Sequence, residues 1–189
     1  MADRVLVVRH GATEWSVAMR HTGRTDLPLL PEGRRQAAAL APRLAAERDR
    51  VALVLCSPLL RARQTCELAG FGERAELCED LREWDYGDYE GLTTPQIRER
   101  APRWNLWTDG CPGGERPAQV AARVHRVLER LRATPGTCIA FAHGHVLRVL
   151  TALWLEMDVT AGARFKLEAG SLGVLGHERQ TAVLERWSA

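Results

Sequence analysis

Lysine is almost missing from this chain: Lys166 is the single lysine among 26 basic residues, and arginine carries nearly all the positive charge. A bias spread over the whole chain reflects an alanine- and arginine-rich coding composition. Only particular arginines can argue for anion binding, where the planar guanidinium fork suits phosphate oxygens. An excess of one charge is lacking too. A formal net charge of +2 excludes the broad basic face of a nucleic-acid-binding or membrane-surface protein. The five cysteines (Cys56, Cys66, Cys78, Cys111 and Cys138) are odd in number, scattered, and form no CxxC pair. That spacing excludes zinc ribbons and dithiol redox sites. Cys56 and Cys138 lie in apolar runs, where cysteine behaves as a small buried hydrophobe. No apolar run approaches the ~20 residues of a membrane span, and the one at the N-terminus is too short for a signal peptide. A reduced cytoplasm is the expected location. There is no internal repeat and no low-complexity linker. With 189 residues and 46% apolar content, one folded domain over residues 1–189 is expected.

What is present alternates between strands and helices. Arg4 to Val8 reads as a parallel strand buried on both faces. Glu32 to Arg48 has a helical period, with Pro42 expected to kink or shorten it. Val51 to Cys56 is a second buried strand. Ser57 then reads as an N-cap with Pro58 in the first turn of a helix reaching about Ala69. The stretch from Gly72 to Glu115, rich in Trp, Pro and Gly, reads as long loops with a short helix at Pro95 to Arg100. An amphipathic helix over Pro117 to Arg132 buries Val120, Val124, Val127, Leu128 and Leu131. Thr137 to Ala142 is a third buried strand and His145 to Leu155 an apolar helix. The tail suggests strands near Phe165–Leu167, Gly173–His177 and Val183–Trp187. This order implies an α/β fold with helices on a mostly parallel sheet.

Three of the strands stop at unusual polar clusters: Arg9-His10-Gly11, Ser57-Pro58 with Arg61 one turn later, and His143-Gly144-His145. Ligands of open parallel sheets bind beyond the carboxyl ends of the strands. Two histidines and two arginines more than 130 positions apart are thereby expected in one crevice. Phosphoryl transfer wants such a set: an in-line nucleophile, donors for three equatorial oxygens, and a proton for the leaving group. A neutral imidazole can attack and form a covalent intermediate. Neighbouring arginines lower its pKa and neutralise charge in the transition state. Gly11 and Gly144 are expected to let backbone approach the anion, and the helix N-termini at Ser57 and Gly144 to offer N–H groups. The leaving group's acid is sought between Leu81 and Gly91. A carboxyl beside Trp84 is expected to hold a proton near neutrality, and Glu83, Asp85, Asp88 and Glu90 all remain candidates.

The segments VVRHGATEWS, SPLLRARQT and FAHGH resemble, in order and spacing, the three motifs of the histidine phosphatase superfamily, and the likeness runs over nearly the whole chain. The resemblance implies a phosphoglycerate-mutase-like three-layer α/β/α sandwich with no metal and no cofactor. It makes His10 the phosphorylated nucleophile, Glu83 the proton donor, and Arg9, Arg61 and His143 the phosphate pocket. HTGRTDLPL, LREWDYGDYEGLTTPQIRE and WNLWTDGCPGGE resemble the bacterial acid phosphatases and the sedoheptulose-bisphosphatase-like group. Ser16 stands where mutases usually carry Asn, and the Arg-Arg-Ser and Tyr-Tyr-Gly stretches of mutases are missing. A phosphatase of small phosphomonoesters, sugar phosphates among them, is therefore expected. A cofactor-dependent phosphoglycerate mutase and a non-catalytic phosphate-binding module are the alternatives.

Ser16, Thr22, Gly23, Tyr86, Gly144 and His145 are further candidates for substrate binding, and His21 lies in a loop that could line the pocket. Trp104 and Trp107 could form a lid, although packing of the long loop onto the body is the plainer expectation. Arg98, Arg100, Arg103 and Arg116 are read as solvated more readily than as a second phosphate site. No nucleic acid or membrane partner is expected. An apolar strand near the C-terminus permits a homodimer without requiring one.

Overall fold

A computed structural model describes residues 2–189. Its elements run β1 (Ala2–Arg9), α1 (Glu14–Val17), α2 (Pro31–Arg48), β2 (Val51–Cys56), α3 (Leu60–Leu68), β3 (Ala75–Leu77), α4 (Thr94–Arg100), α5 (Leu106–Asp109), α6 (Pro117–Ala133), β4 (Gly136–Ala142), α7 (Gly144–Trp154), β5 (Leu172–Glu178) and β6 (Thr181–Arg186). The six strands form one sheet in the order β3-β2-β4-β1-β5-β6. The first four are parallel, and β5 and β6 are added antiparallel. Alternate residues of β1 serve opposite faces. Val5 and Val7 pack with α6 and α7, while Leu6 and Val8 pack with α2 and α3. With helices on both faces, the architecture is a three-layer α/β/α sandwich. β4 lies between β1 and β2, so all three carboxyl ends open on one edge, where binding crevices form.

Local chemistry explains where the elements depart from expectation. Pro42 does not shorten α2, which runs through it to Arg48. It is exposed, as is Ala38 one turn earlier, so the carbonyl that loses its partner to the missing N–H lies on the solvent side of the helix. The helix after β2 begins at Leu60, with Leu59 rather than Ser57 at its N-cap. The Ser57 hydroxyl is drawn off to the His143 ring. Phe165–Leu167 is not a strand: the Lys166 carbonyl accepts from the Trp187 indole and that of Leu167 from Arg9, in place of a ladder. β3 and α1 escaped the sequence reading. β3 is three residues long at a sheet edge, and α1 is one turn held by a capping box between Thr13 and Ser16. Trp104 and Trp107 are packed into the body, the Trp104 indole N–H donating to the Gly110 carbonyl. All five cysteines are buried and unpaired. Among the described residues no helix is long and apolar enough to cross a membrane.

Candidate active site

The three strand ends do meet. The His10 amide continues β1 by donating to the Ala142 carbonyl, and the Ser57 amide donates to that of Phe141. The His10 and His143 rings end 5.1 Å apart between centroids. In front of His10 lies a cavity of about 560 Å³, whose wall includes Arg9, Glu83, Tyr86 and His145.

One hydrogen bond fixes the chemistry of His10. Its Nδ1 lies 2.7 Å from the Gly11 carbonyl, which can only accept, so Nδ1 carries the proton and Nε2 presents a bare lone pair. Burial, then the charges of Arg61 and Arg9, hold the ring's pKa well below the usual histidine range and keep that lone pair free. Gly11 serves packing rather than an anion. A Cβ there would sit 2.2 Å from the Gly33 carbonyl oxygen, so α2 can approach only a glycine.

Arg61 and His143 lie behind this wall, both fully buried. Arg61 Nε donates to His143 Nδ1 at 3.1 Å, which leaves the ring proton on Nε2 to donate to Ser57 Oγ at 2.7 Å. The remaining Arg61 nitrogens donate to the carbonyls of Thr22, Gly23 and Thr25. Arg61 thus fixes one loop of the cavity and sets its charge beside His10. Arg9 differs: one terminal nitrogen donates to the Leu167 carbonyl, while its buried Nε has no partner. A guanidinium at a cavity wall suits an incoming oxyanion through its charge.

The helix N-termini are used otherwise than expected. The first amide of α3 donates to the Asp26 carboxylate. At α7, the amides of His145 and Val146 donate to the Glu83 carboxylate, each at 2.9 Å, and the Trp84 amide adds a third donor. Geometry also separates the four acids. Glu90 accepts from the amides of Gly23 and Thr25, and Asp85 pairs with Arg24. Only Glu83 of the four lines the cavity.

Among the other candidates, Ser16, Thr22, Tyr86, Gly144 and His145 line the cavity, as does His21, and Gly23 does not. Ser16 Oγ is engaged with the Thr13 backbone. The Tyr86 hydroxyl lies 2.6 Å from His145 Nδ1. Gly144 makes room for Arg9, whose guanidinium carbon would lie 3.3 Å from an added Cβ. Sequence reasoning missed Arg20, Arg148, Lys166 and Glu168 on the same wall. Arg148 stacks over Trp107 and donates to the carbonyls of Gly162 and Ala163. Its place one turn into the helix after His143 was the available signal.

Two buried histidines and a half-buried third at one site make stability depend on pH. Burial foremost holds His10, His143 and His145 well below 6.5 in the fold. As pH falls below about 6.5, the unfolded chain takes up these protons first, so each ring costs up to about 1.4 kcal/mol of stability per pH unit until its folded pKa is reached. Chemical unfolding is expected to show stability falling steeply from pH 7 to pH 5. A flat profile would contradict the neutral rings.

A family model of the histidine phosphatase superfamily (branch 1) matches residues 5–189. An acid phosphatase of Mycobacterium tuberculosis is 43% identical over 189 residues, covering 96% of this chain and 91% of that protein. Sedoheptulose 1,7-bisphosphatase of Saccharomyces cerevisiae is 36% identical over 189 residues, covering 84% of this chain and 70% of that protein. Among solved structures, the product of a Mycobacterium tuberculosis open reading frame superposes with a TM-score of 0.89 at 40% identity, covering 98% of this chain and 96% of that one.

Proposed function

The chain belongs to the histidine phosphatase superfamily, and on that footing we propose that it is a metal-independent phosphomonoesterase working through a phosphohistidine on His10. The observation that carries this reading is the bare Nε2 of a neutral His10 in a cavity that Arg9 also lines. Nε2 attacks phosphorus in line as the ester P–O bond breaks, and Glu83 gives its proton to the departing alcohol. Water, losing a proton to Glu83, then attacks the phosphohistidine. The P–N bond breaks and His10 returns neutral. Arg9 neutralises the equatorial oxygens, and the Arg61 charge keeps Nε2 unprotonated between turnovers.

The substrate is a small phosphorylated metabolite of the cytoplasm. A sugar phosphate fits the likeness to a sedoheptulose bisphosphatase, and a broader range fits the likeness to an acid phosphatase. The test is phosphate release from a panel of phosphomonoesters with chelator present throughout. Turnover undiminished by chelator is expected. Loss restored by a divalent cation, or isomerisation of phosphoglycerate without net phosphate release, would contradict the proposal.

A further inference from the structure

The amphipathic stripe of α6 carries one charged intruder. Arg123 sits among Val120, Val124 and Val127 and is buried with them. A guanidinium has five N–H donors, and here each has a partner. Nε donates to Glu115 Oε1 at 2.7 Å, and one terminal nitrogen to the carbonyls of Asp80 and Arg82, both at 2.7 Å. The other donates to the Glu83 carbonyl at 3.2 Å and to Glu115 Oε2 at 3.0 Å. Glu115 completes the hold from the far side. Its carboxylate accepts from the Asp85 amide, its own amide donates to the Asp85 carbonyl, and its carbonyl accepts from the Trp84 indole. Gly114 lets the two backbones come this close, since a Cβ there would lie 2.2 Å from the Asp85 oxygen.

We infer that the buried Arg123–Glu115 pair is a positioning device for the proton donor, fixing the main chain on both sides of Glu83 so that its carboxylate stays at the start of α7. The inference rests on the phosphatase reading above. A packed loop alone needs apolar contact. This loop has that contact, through buried Leu81, Trp84 and Tyr86, and adds a saturated ion pair, which costs desolvation and is justified by directional hold on the carbonyls of Asp80, Arg82 and Glu83. Arg123 and Glu115 do not line the cavity, so they act through Glu83 and not on the substrate.

The decisive comparison is kcat/KM on an alkyl phosphate, whose leaving alkoxide needs a proton, against p-nitrophenyl phosphate, whose leaving group departs without one. kcat/KM reports only the steps up to alcohol release, so later hydrolysis does not enter. Glu83→Gln sets the full effect on the alkyl ester. Arg123→Lys is expected to lose about 100-fold on the alkyl phosphate, as a misplaced catalytic group does, and less than about 3-fold on the aryl ester, where general acid catalysis contributes little. Glu115→Gln, which keeps the volume, is expected to show the same selectivity and supplies the answer if Arg123→Lys does not fold. Equal losses on both esters, or none on either, would overturn the inference. A wild-type enzyme inert toward both would overturn the phosphatase reading itself, and the two failures differ in whether the wild type turns over.

Discussion

His10→Ala loses roughly 10⁴-fold or more in phosphate release from every phosphomonoester, the scale on which enzymes lose their covalent nucleophile, and it does so without unfolding. The ring is almost wholly buried yet holds one hydrogen bond, to the carbonyl of its own neighbour. The charges of Arg61 and Arg9 both act on it. A desolvated imidazole in that field serves reaction rather than stability, so the alanine variant melts at or above the wild-type temperature. Initial rates and a thermal melt on the same preparation check both parts. Activity within about tenfold of wild type would remove His10 from the mechanism, since no covalent role survives so small a loss.

Arg61→Ala fails in the other direction, in folding and catalysis together. Arg61 ties Thr22, Gly23 and Thr25 of one loop to His143 at the end of β4. Its removal strands three carbonyls and a ring nitrogen inside the protein. A loss of about 3–5 kcal/mol is expected, the range for breaking a buried charged network. Lysine offers a point charge where a fork is needed, so Arg61→Lys recovers little. In whatever fraction folds, the acid limb of kcat/KM moves to higher pH. Burial is the first cause of the low His10 pKa, and the Arg61 charge is the next. Denaturant titration with a pH–rate profile reads both effects. A stable, active Arg61→Ala protein with an unmoved acid limb would contradict the arrangement.

The parts of the site legible in the sequence are those attached to buried strands. Arg9-His10, Ser57 and His143 each follow an unbroken apolar run, and strand ends in a parallel sheet share one edge. The acid was not legible by the same logic. Glu83, Asp85, Asp88 and Glu90 sit in one irregular stretch, and only the partners they find, the α7 amides for Glu83, Arg24 for Asp85 and the Gly23–Thr25 amides for Glu90, tell them apart. Gly11 shows a subtler limit. Its small size was clear, but what approaches it, the backbone of Gly33, depends on how α2 lies across the sheet. Arg123 did carry a signal, a charge on an apolar helical stripe. The loop it grips is brought there by tertiary packing that no local pattern encodes. The missing strand at Phe165–Leu167 has the same origin, since Arg9 and Trp187 take carbonyls that a ladder would have used.

The proposed function stands or falls on a covalent bond between phosphorus and His10. Mixing enzyme with radiolabelled phosphomonoester, quenching in alkali within the first turnover and mapping the label tests it directly. An alkali-stable, acid-labile phosphohistidine is expected on the His10 peptide, forming and decaying at rates that match turnover and missing from His10→Ala. Full turnover with no labelled histidine at any quench time would contradict it.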